Sequence, residues 1–330
     1  MLRNCLTPHR PYSNVRAQHW SRSEKLKLNS PTTNGFQTMD QTQLEHQYSP
    51  SRWSHRFQDP DDVIQNHIDF ITKASEDART RIPVQCGVRY GPKAEQQLDV
   101  FGGQSLPDDA SILVYIHGGY WQELSRCTSA YCVEPQYRNG VRTVILGYDL
   151  APTVTLREIV EEIKTGAEYV VNMAVNFGAR SVWFAGHSAG AHLVSMLLFS
   201  GWLNQLDDRR RNLVKGLVLI SGVYDLTPLI NTYVNDNLKL SREEARVLSP
   251  MLLNIESLSV RKLTILVAVA EFDSPEFQRQ SQTFFEKLEQ KSTMLEFITV
   301  PGVDHFDIVE NLHKEDFVLT KKITELIARD

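Results

Sequence analysis

Residues 186–190, with the sequence GHSAG, carry the most specific chemical signal in the chain. This GxSxG pattern follows a predicted strand and precedes an apolar helical run over residues 191–199. Glycines two positions to either side allow a strained strand-to-helix turn, which projects the central serine above a sheet. The helix that follows directs unpaired amides and partial positive charge towards a forming oxyanion. We therefore predict that Ser188 is a nucleophile and that Gly186 and Gly190 make room for its turn.

The segment HGGYW follows a second predicted strand and resembles the oxyanion-hole loop of α/β-hydrolases. Its glycines allow backbone amides to face a reacting carbonyl with no side chain in the way. We predict an oxyanion hole formed by the amides of Gly118, Gly119 and Ala189. We expect His117 to bond the loop backbone rather than to take part in catalysis. Tyr120 stands where many lipases and esterases have a third glycine, which leaves the number of amide donors open.

A serine nucleophile needs a base, and in this type of fold the chain order is serine, acid, histidine. His305 meets that order, because it follows the last predicted strand and precedes a C-terminal amphipathic helix. His313 is the rival, but it lies within the helical pattern. His187 and His192 are five positions apart, a poor spacing for two metal ligands on one helical face. We predict His305 as the base and expect no metal site.

Asp273 is the favoured acid because it closely follows the strand predicted over residues 263–269, in the loop that usually supplies this residue. Asp225, after the preceding strand, is the alternative, and Glu271 is a weaker candidate. Asp304 adjoins the histidine too closely in sequence to orient its ring easily. Asp273 also has a structural interpretation as the cap of the helix that follows it. Only the chain order favours catalysis.

These residues depend on a sheet that brings several strand ends together. From residue 96 onwards, short runs rich in Val, Ile and Leu alternate with helical patterns, which is typical of a mainly parallel sheet covered by helices. Apolar residues recur every three or four positions across 156–174, which predicts an amphipathic helix. The fold class is therefore α/β, and its arrangement resembles the α/β-hydrolase fold. The predicted strands are 98–101, 112–116, 143–148, 181–185, 217–221, 263–269 and 295–300.

The chain is expected to form one domain over residues 39–330, preceded by an arm. No internal repeat or Pro/Gly/Ser linker divides the body, and residues 223–260 interrupt the strand rhythm with helix-like polarity, which predicts a small cap insertion. Residues 1–38 are rich in Arg, Ser, Asn and Thr and have one acidic residue, a composition of disordered tails and of organellar presequences. Met39 is a candidate for a second site of translation initiation.

Composition argues against several classes of partner. The net charge of the chain is −5 although its first 38 residues are basic, so the body lacks the Lys/Arg stripe of a nucleic-acid-binding protein. No apolar run approaches the roughly 18 residues that a membrane span needs. Four cysteines without CxxC spacing favour unpaired thiols and a reducing compartment. We therefore predict a cytoplasmic protein, with mitochondrial import through the basic arm as the alternative.

Beyond these general signals, the sequence resembles the kynurenine formamidases, also called arylformamidases. The likeness runs from about residue 47 to the C-terminus, and the segments YSPSRW and HGGYW are its most telling parts. This resemblance implies hydrolysis of N-formyl-L-kynurenine to L-kynurenine and formate, a step of tryptophan breakdown, with no metal or organic cofactor. The shared segments are residues 48–53, 90–92, 117–121, 148–152 and 186–192.

A formyl carbon carries only hydrogen, so the acyl side of such a site need not be wide. Tyr120 and Trp121 are candidates to narrow the pocket and stack on the substrate ring, but they fit equally well as core aromatics beside the elbow. One alternative function is a carboxylesterase that acts on small or aryl esters with the same triad. A non-catalytic α/β-hydrolase that serves as a binding module is the other. The sequence leaves open whether the chain forms a homodimer.

Overall fold

A computed structural model describes residues 39–255, 263–291 and 294–330 of the chain. One eight-stranded sheet forms its centre, with the strand order β1-β2-β4-β3-β5-β6-β7-β8. β1 pairs antiparallel with β2, and β2 pairs antiparallel with β4. The other strands, β3 to β8, are parallel to one another. The strands are β1 Val84–Arg89, β2 Gln97–Phe101, β3 Ile112–Ile116, β4 Arg142–Leu146, β5 Val182–His187, β6 Val214–Ile220, β7 Thr264–Ala270 and β8 Leu295–Val300.

Helices connect the strands and cover both faces of the sheet, so two apolar clusters form, one against each face. The helices are α1 Gln41–Gln47, α2 Pro60–Arg81, α3 Val133–Arg138, α4 Leu156–Phe177, α5 Ala189–Phe199, α6 Trp202–Gln205, α7 Asp208–Leu213, α8 Asn235–Leu238, α9 Arg242–Val247, α10 Pro275–Glu289, α11 Asp307–Glu310 and α12 Val318–Ala328. The fold class predicted from the sequence is thereby confirmed: a mainly parallel sheet flanked by helices.

Local sequence explains why the long helix α4 has its bounds. Thr155 accepts a hydrogen bond from the backbone of Glu158, whose side chain bonds back to Thr155, so a capping box begins the helix. Gly178 ends it in the left-handed region with φ 80°. Its apolar face lies buried against the sheet. Packing of this kind holds β5 in place, and β5 leads directly into the serine motif.

All seven predicted strands are present, with ends shifted by up to about three residues, whereas β1 was missed. Residues 223–255 form short helical segments and no strand, and the rest of the predicted cap, 256–260, lies outside the described residues. The proposed arm, residues 1–38, lies outside them as well. In the described part of the chain, none of the helices has the length and apolarity to cross a bilayer.

The cysteines depart from expectation at one position. Cys127 and Cys132 have free thiols, as the sequence predicts. Cys86 is disulfide-bonded, so the expectation of unpaired thiols is wrong for this residue. Scarcity and spacing alone did not reveal it, because a pairing depends on distances that only the folded chain sets.

Candidate active site

Ser188 lies at a sharp turn between β5 and α5. Its backbone has φ 54° and ψ −117°, a combination that non-glycine residues rarely adopt, and its amide donates to the carbonyl oxygen of Ile220 at 2.8 Å. A Cβ atom at Gly190 would lie 2.1 Å from the carbonyl oxygen of Ile116, and one at Gly186 would lie 2.3 Å from that of Gly190. Both positions therefore exclude any residue with a side chain, and the serine hydroxyl projects at the carboxyl edge of the sheet.

The HGGYW loop approaches this turn from the neighbouring strand β3. A Cβ atom at Gly118 would lie 3.2 Å from Cβ of Ser188, and Gly119 has φ 93°, with a virtual Cβ only 2.4 Å from the carbonyl oxygen of Glu123. Within the described residues, no backbone carbonyl accepts a hydrogen bond from the amides of Gly118, Gly119 or Ala189. These donors remain available beside the serine. This is the geometry expected of an oxyanion hole.

His117 holds the HGGYW loop in place. Its Nδ1–H donates to the carbonyl oxygen of Gly118 at 2.9 Å, and its ring stacks on Tyr148 with a centroid distance of 4.3 Å. The Tyr148 hydroxyl donates to the carbonyl oxygen of His117 at 3.0 Å. Burial lowers the pKa of His117 to about 4, so its ring is neutral at pH 7. A neutral, bonded ring suits a residue that holds the loop.

The structure brings Asp273 and His305 together from two different loops. Nδ1 of His305 lies 2.6 Å from Oδ1 of Asp273, and both side chains are buried. Oδ2 of Asp273 accepts from the hydroxyl of Ser221 at 2.5 Å and from the amide of Ala270 at 3.1 Å. An ionised carboxylate is only an acceptor, so this bond assigns the proton to Nδ1 of His305. In the neutral ring of this tautomer the lone pair is on Nε2, where a general base requires it.

His305 is also attached to the serine turn. Nε2–H of His187 donates to the carbonyl oxygen of His305 at 2.8 Å, and the two rings are 4.6 Å apart. Ser188 and His305 are 4% and 3% exposed. The described residues show no hydrogen bond between the Ser188 hydroxyl and His305, and such bonds often tighten only when substrate binds. The catalytic roles of the three residues stay predictions.

The rival residues are bound elsewhere. Ser274, rather than Asp273, caps α10 by accepting from the amide of Phe277 at 3.2 Å, so the capping interpretation of Asp273 does not apply. The other rivals each bond a backbone group away from the Asp273–His305 pair; the partner is local for all of them except Glu271, whose partner lies in the loop after the neighbouring strand β8. These pairs are Asp225 with Thr227, Glu271 with Gly302, Asp304 with Phe306 and Asp307, and His313 with Glu310.

Tyr120 and Trp121 have different surroundings. The hydroxyl of Tyr120 donates to the carbonyl oxygen of Tyr48 at 2.8 Å, which ties the loop to the N-terminal segment. Trp121 is 0% exposed and packs edge-on against His192 at 5.0 Å within the apolar core. The sequence favoured stacking on substrate and packing in the core equally. For Trp121 the structure favours packing in the core, because its side chain has no exposed surface. Contact of either aromatic with substrate stays a prediction.

Sequence reasoning missed Ser221, which holds the second oxygen of Asp273. Ser221 directly follows β6, and its backbone has φ 46°. Its amide donates to the carbonyl oxygen of Ala268 at 2.7 Å. Polar residues at the carboxyl ends of parallel strands meet at one edge of the sheet, which is where such folds bind ligands. The position of Ser221 at that edge was a usable signal.

The described residues include no cluster of three or more His, Cys, Asp or Glu side chains arranged to hold a metal ion. The sheet, the strained serine turn and the glycine loop beside it define an α/β-hydrolase. In agreement, a family model described as the alpha/beta hydrolase fold matches residues 113–308.

The kynurenine formamidases of Danio rerio and Drosophila melanogaster are 37% and 34% identical to this chain, over 295 and 283 residues. Those matches cover 89% and 83% of this chain, and 99% and 93% of the two proteins. The chain therefore belongs to the kynurenine formamidase family of α/β-hydrolases, enzymes that hydrolyse an amide.

Solved structures of lower identity share the fold. A hyperthermophilic esterase from the archaeon Pyrobaculum calidifontis superposes with a TM-score of 0.63 at 19% identity, over 82% of this chain and 92% of that one. A thermostable carboxylesterase from a metagenomic library gives a TM-score of 0.62 at 18% identity, over 82% and 96%. At such identities the likeness concerns the fold alone.

Proposed function

We propose that the protein hydrolyses N-formyl-L-kynurenine to L-kynurenine and formate, a step of tryptophan catabolism, with Ser188, Asp273 and His305 as its triad. The observation that carries the proposal is the buried Asp273–His305 pair bonded to the residue before the serine turn. Relatives named kynurenine formamidase, matched over nearly their whole length, support the substrate. The free amides beside the turn support the acyl chemistry.

In this mechanism, His305 Nε2 takes the proton of the Ser188 hydroxyl as Oγ attacks the formyl carbon. The electron pair of the carbonyl moves to oxygen, where the amides of Gly118, Gly119 and Ala189 stabilise the charge. Asp273 stabilises the imidazolium that forms. His305 then gives its proton to the aniline nitrogen as the C–N bond breaks, which releases kynurenine and leaves a formyl ester on the serine.

Water completes the cycle. His305 accepts a proton from the water that attacks the formyl ester, and the same amides stabilise the second tetrahedral intermediate. Its collapse releases formate and returns the proton to the Ser188 oxygen. The three protein groups end as they began, so the reaction consumes one formamide and one water. No organic cofactor takes part in any step of this proposal.

We further propose that residues 39–330 form the catalytic domain, with 223–260 as a cap over the carboxyl edge of the sheet and 1–38 as an arm outside it. The short helices of 223–255 support this interpretation of the cap, because the start of α8 contacts the end of the HGGYW loop. Gln122, which follows that loop, donates to the carbonyl oxygen of Val234 at 2.9 Å. A cap so placed would control the entry of substrate.

The test compares hydrolysis of N-formylkynurenine and of p-nitrophenyl acetate by the wild type and Ser188→Ala. We expect a strong preference for the formamide, and a loss of about 10⁴ to 10⁶-fold in kcat with the variant. Ser195→Ala is a matched control, because among the described residues the hydroxyl of this buried serine on α5 bonds only the carbonyl of Ala191, at 2.8 Å. Equal or better turnover of the ester, with the formamide barely hydrolysed, would refute the substrate and indicate a carboxylesterase. A folded wild type that neither reacts with a fluorophosphonate probe nor turns over either substrate would indicate a binding module.

A further inference from the structure

Two residues just after the YSPSRW segment, Ser54 and Arg56, reach the loop of His305 from the far end of the sequence. The hydroxyl of Ser54 donates to Oδ2 of Asp304 at 2.5 Å, and Nε–H of Arg56 donates to the same oxygen at 2.9 Å. The amide of Arg56 donates to the Ser54 hydroxyl oxygen at 3.2 Å. These two residues therefore bind Asp304, the residue immediately before His305.

Arg56 also binds the helix that follows His305. Its Nη1 lies 2.7 Å from Oε2 of Glu310, the last residue of α11. The other carboxylate oxygen of Glu310 accepts from Nδ1 of His67 at 2.8 Å. One guanidinium thus spans both ends of the stretch from Asp304 to Glu310. The planar, multi-donor geometry of arginine suits such a bridge better than the single ammonium of lysine.

This bridge limits how the backbone of His305 can move. Oδ1 of Asp304 accepts from the amides of Phe306 and Asp307 at 2.8 and 2.9 Å, which fixes the turn around the histidine. Beyond the turn, the ring of Phe306 lies 5.1 Å from that of His67. The ring of His305 has Phe306 on one side at 5.5 Å. A shift of Asp304 would therefore pass directly to the imidazole.

The charges in this network depend on one another. The side chains of Asp304 and Glu310 are 2% and 7% exposed, and that of Arg56 is 23% exposed. Burial alone would raise the pKa of Asp304, but hydrogen bonds from Ser54 and the backbone, together with the charge of Arg56, outweigh it and hold that pKa below its usual range. Without Arg56, two buried carboxylates would lose their common cation, and rearrangement or protonation would relieve them.

We propose that Arg56 is a positioning residue for His305: by bridging Asp304 and Glu310 it holds the imidazole where it can take the proton of Ser188. The inference deepens the proposed function, since it rests on His305 as the base. It also gives the N-terminal segment a part in catalysis without contact with the substrate.

The test measures kcat and KM of Arg56→Ala on N-formylkynurenine, with active sites counted by the end-point of fluorophosphonate labelling. We expect kcat per active site to fall about 10²-fold, the cost of a displacement near 1 Å, while KM changes much less. Added guanidinium at non-denaturing concentration should restore part of kcat, and Arg56→Lys should retain more activity than Arg56→Ala. Arg81→Ala is the control, because Arg81 pairs with Glu134 on the exposed surface of α2.

An unchanged kcat per active site in Arg56→Ala would overturn the proposal, even if the yield of folded protein fell, because the bridge would then be only structural. The proposal would also be overturned if added guanidinium restored none of the lost kcat and Arg81→Ala lowered kcat by the same factor. Running the same variants on p-nitrophenyl acetate separates the two proposals. If the wild type hydrolyses the ester but not the formamide, the proposed substrate fails, while the role of Arg56 is still decided by the ester rates.

Discussion

Replacing Ser221 with Ala removes one hydrogen bond from the carboxylate that orients His305. The bond is short, 2.5 Å from the hydroxyl oxygen to Oδ2 of Asp273, and Ser221 is fully buried. In the variant, the amide of Ala270, at 3.1 Å, is the one donor that Oδ2 keeps among the described residues. Alanine retains the Cβ atom and the backbone preferences of serine, so the change removes little besides the hydroxyl.

The magnitude follows from the charge of the acceptor. A hydrogen bond to a charged group contributes about 1.5 to 3 kcal/mol. At about 1.4 kcal/mol for each factor of ten, loss of this contribution in the transition state lowers kcat/KM by roughly 12- to 140-fold. Most of the loss should be in kcat, because in the proposed mechanism the carboxylate stabilises the imidazolium that forms during the reaction and does not touch the bound substrate.

The assay is steady-state hydrolysis of N-formylkynurenine by the wild type, Ser221→Ala and Ser281→Ala. Ser281 is a matched control, because its buried hydroxyl has no hydrogen-bond partner among the described residues. Urea unfolding of the three proteins reports the fraction that is folded in the assay. A kcat/KM for Ser221→Ala within threefold of the wild type would refute the reasoning, and so would an equal loss in Ser281→Ala.

Two further predictions concern stability. Burial, and next the charge of Asp304, raise the pKa of Asp307 from 3.8 to about 7. The folded state therefore binds the proton of Asp307 more tightly than the unfolded state does. The contribution of Asp307 to stability falls as the pH rises from about 4 to about 7. The melting temperature of Asp307→Asn should therefore exceed that of the wild type by more at pH 8 than at pH 5. An equal difference in melting temperature at both pH values would contradict this. Trp121→Ala should lower the free energy of unfolding by about 3 to 5 kcal/mol in urea, because the side chain is buried against His192. A stable Trp121→Ala protein with a raised KM would instead favour stacking on the substrate.

The sheet was predictable where its strands are buried on both sides. The predicted interior strands are continuous apolar runs, and β3 and β5 are indeed buried along their whole length. Strand β1 gave no such signal, because its sequence VQCGVR has few apolar residues and is only partly buried at the edge of the sheet. Gly87, at φ 69°, interrupts its pairing with β2.

The candidate site divides in the same way between local and distant contacts. The glycine spacing around Ser188 is a local requirement of the turn, so the sequence alone singles it out. Chain order favoured Asp273 and His305, and the structure places them in contact. Ser221 offers only its place at the end of a strand and Arg56 no local pattern, because their partners lie 52 and 248 residues away. Trp121 was undecided, since pockets and cores both favour aromatic residues, and only burial separates the two.

The bridge between the two ends of the chain also bears on biosynthesis. Ser54 and Arg56 are among the first described residues that a ribosome would release, and their partners Asp304 and Glu310 come 250 and 254 positions later. At about 5 to 20 residues per second, the arginine waits roughly 12 to 50 s for its carboxylates. During that interval the Ser188 turn and the HGGYW loop leave the ribosome before the loop of His305 does. A nascent chain would thus complete its proposed triad last, once the loop of His305 has emerged.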